Sequence, residues 1–194
     1  MAAEILNDAE FYDRYEIIGG EKFMSPSANL DDSGIIMRLG MIIGTHLSND
    51  KSGYVFFNAR VHFSDENSFI PDVSVVLKSN EKILAGRKAI YGAPDMVVEV
   101  LSYSTHKKDL GVKKDTYEAQ GVREYWIVDP WAKSVTVYLL RDGKYFLDDR
   151  YILLEGSDFE ALTDEEQAEF KTEVPVAILD GFTVPLKFIF DWGY

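Results

Sequence analysis

Two carboxylates stand where an ordinary β-strand would not place them. Glu99 interrupts Met96-Val97-Val98-Glu99-Val100-Leu101, and Asp72 opens the apolar run Val73-Ser74-Val75-Val76-Leu77 just after Pro71. Strand alternation puts Val97, Glu99 and Leu101 on one face and Met96, Val98 and Val100 on the other. A charged, unpaired carboxylate between valines would cost several kcal/mol, so Glu99 must be paired, protonated or bound to a metal. A structural ion pair with a lysine or arginine is the plain alternative, but acids at buried strand centres cluster at functional sites. Asp beside Pro is common at strand entrances, so Asp72 gains weight only in company with Glu99.

That company continues in the next helix. Asp109, Lys113 and Tyr117 recur at i, i+4 and i+8 and share one face. An exposed Asp–Lys pair is the bland reading. Leu110, Val112 and Ala119, however, offer too little apolar surface for a separate packing stripe. The Asp109–Lys113–Tyr117 face is therefore expected to turn toward the sheet that carries Glu99. Lys114 points about 100° away from Lys113 and is a different case. Two carboxylates and one ammonium form the minimal set for metal-assisted phosphodiester hydrolysis. The acids hold a divalent ion that activates a water, and the lysine stabilises developing charge or orients that water.

Other chemistries are excluded. The chain has no cysteine, hence no disulfide, thiolate zinc site or cysteine nucleophile. Gly-x-Gly-x-x-Gly, Gly-Lys-Ser/Thr and Gly-x-Ser-x-Gly motifs are all missing. His46, His62 and His106 are scattered without ligand spacing. Any metal must then be held by oxygen, which selects magnesium, manganese or calcium.

The elements that must position these groups read as mixed α/β. Residues 15–18 and 22–24 flank Gly19-Gly20 as a hairpin. Apolar residues at 35, 36, 39, 42, 43 and 47 predict a helix over 35–47, with Asp31, Asp32 and Ser33 as N-cap candidates. Short strands are expected at 54–57 and 60–63, and doubly buried strands at 73–77 and 96–101. A helix over 107–119 stops at Gly121. Strands at 124–128, 135–140 and 145–147 follow, the last two joined by the turn Arg141-Asp142-Gly143-Lys144. The fold class is α/β (α+β), a mixed central sheet flanked by helices, in a single domain over residues 1–194.

At 194 residues and 46% hydrophobic, the chain can build a sizeable core. Its net charge is −13, of which −7 falls within residues 155–173, an acidic insertion expected as a solvated helix or loop. The acidic total argues at first against a nucleic-acid partner. Residues 105–115, beside the candidate acids, carry +2, so the acidity is no veto. Residues 1–10 lack the pattern of a signal peptide, and no run is long and apolar enough to span a bilayer. A cytoplasmic protein without membrane contact is the expectation.

In order along the chain, Ile70-Pro71-Asp72-Val73, Gly92-Ala93-Pro94-Asp95-Met96-Val97-Val98-Glu99-Val100-Leu101-Ser102, Asp109-x-x-x-Lys113-x-x-x-Tyr117 and the run from Gly121 to Pro130 resemble the Uma-two restriction-endonuclease family. That family belongs to the PD-(D/E)XK nuclease-like superfamily. The likeness includes Tyr15-Glu16-Ile17-Ile18 and Gly20-Glu21, and runs from about residue 14 to 192. The resemblance implies a restriction-endonuclease-like fold and a Mg2+- or Mn2+-dependent endonuclease acting on nucleic acid, DNA first. It makes Asp72 the first metal-binding carboxylate, Glu99 the acid of the D/E-x-K element and the Val100 carbonyl a further ligand.

The superfamily's lysine stands two residues after that acid, where this chain has Leu101; Lys113 on the following helix is the substitute. Glu16 or Glu21 supplies a further acid from the hairpin, ranked below the central three. Three departures accompany the likeness. Tyr103 replaces a common proline, Gly19 replaces a common aspartate, and residues 29–33 lack the histidine often found at the start of the first long helix. A homodimer is expected because cutting a duplex takes two sites. A catalytically inactive nuclease-fold module for nucleic-acid or protein binding, and a hydrolase of smaller phosphate compounds, are the competing readings.

Overall fold

Two mixed sheets, the larger with central strands buried on both faces, form the framework in a computed structural model that describes residues 14–24, 29–102, 106–154 and 156–191. Tyr103, residues 1–13, Glu155 and Trp192 lie outside the described residues. The smaller sheet contains β1 (Tyr15–Ile18), β2 (Glu21–Met24), β4 (Val61–Ser64), β5 (Asn67–Phe69) and β7 (Ile90–Tyr91), in the order β2-β1-β5-β4-β7. The larger contains β3 (Gly53–Phe57), β6 (Val73–Leu77), β8 (Met96–Val100), β9 (Glu124–Asp129), β10 (Ser134–Arg141) and β11 (Lys144–Ile152), in the order β11-β10-β9-β8-β6-β3. Only β8 and β9 run parallel within it. The helical segment 106–120 lies between them in the chain, as a parallel crossover requires.

Helix α1 (Leu30–Asp50) covers one face of the larger sheet. Its stripe Ile35, Ile36, Leu39, Ile43 and Leu47 packs with Val73, Val75, Met96, Val98 and Val100. A β-carbon on Gly40 would lie 1.9 Å from the exposed Phe57 ring, so a larger residue there would push that ring aside. The N-cap is Asn29, whose Oδ1 accepts the Asp32 N–H at 2.8 Å. Asp31, Asp32 and Ser33, expected as caps, are already helical; the helix begins one turn earlier than the apolar stripe suggests.

The opposite face carries a second cluster in which Val97, Leu101, Tyr125 and Ile127 meet Phe69 from the smaller sheet and Tyr117 from the helix after β8. Residues 107–119 are not one regular helix. The segment α2 runs through His106–Lys108, a wide π-type turn Asp109–Lys113 and Lys114–Gln120, with Gly111 at φ −117°, ψ −107° breaking the α pattern. Glycine's poor helix propensity allows the break there. Gly121 ends α2 in the left-handed conformation at φ 87°, as expected of a glycine cap.

The acidic segment folds as two short, largely exposed helices, α3 (Ser157–Glu160) and α4 (Asp164–Glu169). Strands β12 (Glu173–Pro175) and β13 (Thr183–Pro185) and helix α5 (Leu186–Phe190) then close the core beneath α1.

Candidate functional site

The register of the larger sheet brings the two anomalous acids together. Val73 pairs with Val98, so the next step along the ladder sets Asp72 opposite Glu99. Residues directly opposite share a face, with β-carbons about 5 Å apart. The Asp72 carboxylate is fixed by the Val100 N–H, which donates to Oδ2 at 2.7 Å. Strand alternation also holds: Met96, Val98 and Val100 face α1, while Val97 and Leu101 lie in the other cluster, on the face of Glu99.

Helix α2 turns the anticipated face inward. Lys113 Nζ lies 3.0 Å from Glu99 Oε1, 3.2 Å from Asp109 Oδ1 and 2.9 Å from Glu16 Oε1. Tyr117 donates its hydroxyl to the same Glu99 oxygen at 2.7 Å. Leu110 and Val112 remain exposed, so the apolar side chains do not set the helix orientation. Lys114 instead sits over the Tyr138 ring, 4.8 Å from its centroid. Glu16 arrives from β1, where its Oε1 also accepts the Ile70 N–H at 3.0 Å. Glu21 is exposed at the start of β2 and is not brought to this group.

Electrostatics here are dominated by burial. Glu16, Glu99, Asp109 and Lys113 are all buried, and Asp72 is half-buried. Desolvation raises the Asp72 carboxyl to about 6, against the pull of the Val100 N–H and Lys113 and with the push of Asp109 and Asp32. Burial raises Glu99 well above the carboxylate range; Lys113 opposes this, while Asp109, Asp72 and Glu16 add to it. Burial also opposes the charge on Lys113, yet Glu99, Asp109 and Glu16 outweigh it and hold the ammonium well above its ordinary value. Tyr117 is held neutral by burial and by Glu99.

Asp32 is the acid that sequence reading missed in this role. It is 5% exposed in the first turn of α1, and its negative charge reaches Asp72. Burial raises its own carboxyl, against a backbone hydrogen bond from Asn29. The signal was present: Asp32 lies four residues before Ile36 and so continues the buried stripe. Two other buried acids have structural partners. Glu124 accepts the Trp126 indole N–H and the Ala177 and Ile178 amides at 2.7, 3.1 and 2.9 Å. Asp95 accepts the Leu77 amide at 2.9 Å.

Among the described residues, no three His, Asp or Glu side chains form a ready-made metal-ligand group. The Lys113 ammonium stands among Glu16, Glu99 and Asp109 instead. The donor set nonetheless suits a hard cation: its side-chain acceptors are carboxylate oxygens, and Glu16, Asp72, Glu99 and Asp109 outnumber the single ammonium. Asp72, Glu99 and the Val100 carbonyl are the groups that would hold it.

A family model described as "Putative restriction endonuclease", Uma2, matches residues 8–174. The chain belongs to the Uma2 family. Among solved structures, a protein from Anabaena variabilis titled "putative nuclease belonging to DUF820" is similar, with 20% identity and a TM-score of 0.70. The match covers 92% of this chain and 90% of that one, and it shows a shared mixed α/β fold. No curated protein matches. Membership in Uma2 supports a nuclease function and hydrolase chemistry. Among the described residues no helix is long and apolar enough to cross a membrane.

Proposed function

We propose that this Uma2 protein is a divalent-metal-dependent endonuclease hydrolysing phosphodiester bonds in DNA. The supporting observation is the approach of Asp72, at the entry to β6, to Glu99 of β8, with Lys113 and Tyr117 both anchored on Glu99. Asp72 and Glu99, with the Val100 carbonyl, would hold Mg2+ or Mn2+, which supplies a polarised phosphate and a water of lowered pKa. The protein's own part is positioning. The Val100 N–H holds the Asp72 carboxylate, and the Tyr117 hydroxyl and Lys113 hold that of Glu99. Lys113 offers the positive charge that stabilises the phosphorane-like transition state. Substrate enters from the side of Asp72, the most exposed of these groups.

Purified protein with Mg2+ or Mn2+ is expected to cut plasmid DNA, and Asp72→Asn and Glu99→Gln are each expected to abolish cutting while the circular dichroism spectrum is retained. Cleavage surviving in both variants overturns the assignment. Parallel reactions with single-stranded DNA, RNA and free nucleotides separate DNA from other phosphate substrates.

One observation favours a second reading, a catalytically inactive nuclease-fold module: the Lys113 ammonium is already shared by three carboxylates, and Leu101 fills the lysine's usual place. Manganese titration calorimetry discriminates, since the module reading requires no metal binding that depends on Glu99.

A further inference from the structure

A hollow of about 500 Å³ opens beside β3, lined by Tyr54, Phe56, Lys82, Arg87, Lys88 and Ile90 among others. Its size falls in the range of small-molecule sites, about 300–1,000 Å³. The floor is apolar: Phe56 packs on the cluster of Val61, Val76, Ile83 and Ile90. Tyr54, 37% exposed, stands at the mouth with its ring 6.3 Å from that of Phe56 and inclined by 28°. Lys82, Arg87 and Lys88 are exposed on the rim. The lining contains one carboxylate, Glu81, which Lys78 and the Tyr54 hydroxyl engage at 2.5 and 3.2 Å. In a chain of net charge −13, this is a concave surface where cations surround aromatic rings.

Sheet register places the hollow on the same face as the acids. Tyr54 pairs with Val76 and Phe56 with Ser74, and Ser74 pairs with Val97. Opposed residues share a face, and so do alternate residues along a strand. Tyr54, Phe56, Ser74, Val97, Asp72 and Glu99 therefore all project to one side. Phe56 lies one strand from Asp72 and two residues along, about 7 Å by about 5 Å in the sheet plane.

We propose that this hollow binds an unpaired nucleotide of a single-stranded nucleic acid, its base against Tyr54 and Phe56 and its phosphates against Lys82, Arg87 and Lys88. The proposal rests on the nuclease reading for its biological sense, and it adds a preference for unpaired strands near the scissile bond. Flat apolar rings accept any base face, and the cations track the backbone, so the site is tolerant of sequence.

The test is fluorescence anisotropy of a labelled dT12 oligonucleotide with the full chain in EDTA, where cleavage does not intervene. Tyr54→Ala is expected to weaken binding about tenfold. Arg87→Ala with Lys88→Ala is expected to weaken it and to reduce the log–log salt slope by about 1.4, since two phosphate contacts are lost. All variants should keep the wild-type circular dichroism spectrum. Unchanged affinity in both variants, or no binding by the wild type, overturns the proposal. Thymidine monophosphate binding as tightly as dT12 overturns the strand assignment, and a 12-base-pair duplex binding more tightly than dT12 overturns the preference for unpaired strands. Failure of the endonuclease reading is distinct. Binding of dT12 that depends on Tyr54, in a wild-type protein that shows no metal-dependent cleavage, leaves the hollow standing and removes the catalysis.

Discussion

Lys113 and Glu99, 14 residues apart in the chain, meet at 3.0 Å in a space closed to solvent. The ammonium also contacts Glu16 and Asp109, so it is the shared counter-charge of three buried carboxylates. Removing one partner of a buried ion pair costs about 3–5 kcal/mol because the other charge stays behind. Lys113→Met, which keeps most of the side-chain stem, is expected to lower urea-unfolding stability by at least that range. Glu99→Gln is expected to cost less, since Lys113 retains Glu16 and Asp109. Equal losses in the two variants would show that the ammonium is not the hub of the group.

Tyr117 separates packing from hydrogen bonding. Its ring meets Phe63, Phe69 and Tyr125 at centroid distances of 5.9, 5.5 and 5.1 Å, and Phe at this position keeps all three contacts. Tyr117→Phe removes only the hydroxyl given to Glu99. A hydrogen bond to a charged group contributes about 1.5–3 kcal/mol, and that loss of stability is expected. DNA cleavage is expected to fall without disappearing, because Lys113 still orients Glu99. A variant as stable as the wild type would mean that the metal-free Glu99 carboxyl finds another donor.

Glu99 was legible in the sequence because a carboxylate broke an unbroken run of valines, and Lys113 because its face of α2 had no competing apolar stripe. Glu124 was not legible as a buried acid. It opens a strand, where acids are ordinary, and its partners at 177 and 178 come from 53 and 54 residues away. Glu16 and Glu21 looked alike in a hairpin. The pairing of β1 with β5 turns the first toward Ile70 and the site, while the second lies on the outer strand. The turn at Gly111 was hidden because helical spacing at 109, 113 and 117 survives it. Short strands such as β5 and β7 exist through their partners and carry almost no local signal.

Asp72 makes stability depend on pH in the metal-free protein. Its carboxyl is raised from 3.8 to about 6, so between those values the native state holds a proton that the unfolded state has released. Stability from this group is therefore fully present below about pH 4 and declines as the pH rises to about 6. Asp72→Asn has no such group. The wild-type stability, measured by urea unfolding in EDTA, is expected to fall relative to Asp72→Asn from pH 4 to pH 6. Parallel pH profiles for the two proteins would mean that Asp72 titrates as an exposed carboxylate.

Leu101 tests whether Lys113 stands in for the lysine that the superfamily carries on its strand. Leu101 is 7% exposed, lies on the Glu99 face and packs in the cluster with Val97 and Tyr117. In the otherwise unchanged protein, Leu101→Lys brings a second ammonium into a site already holding one. Desolvation of the new ammonium and loss of the apolar packing of Leu101 are then expected to destabilise the fold by several kcal/mol. Combined with Lys113→Met, the same change returns one positive charge to the acids from the strand instead of the helix. The double variant is expected to be more stable than Lys113→Met alone and to regain part of the metal-dependent plasmid cleavage. A double variant that recovers stability but no cleavage would show that the position of the ammonium matters to the chemistry, beyond its neutralisation of Glu99.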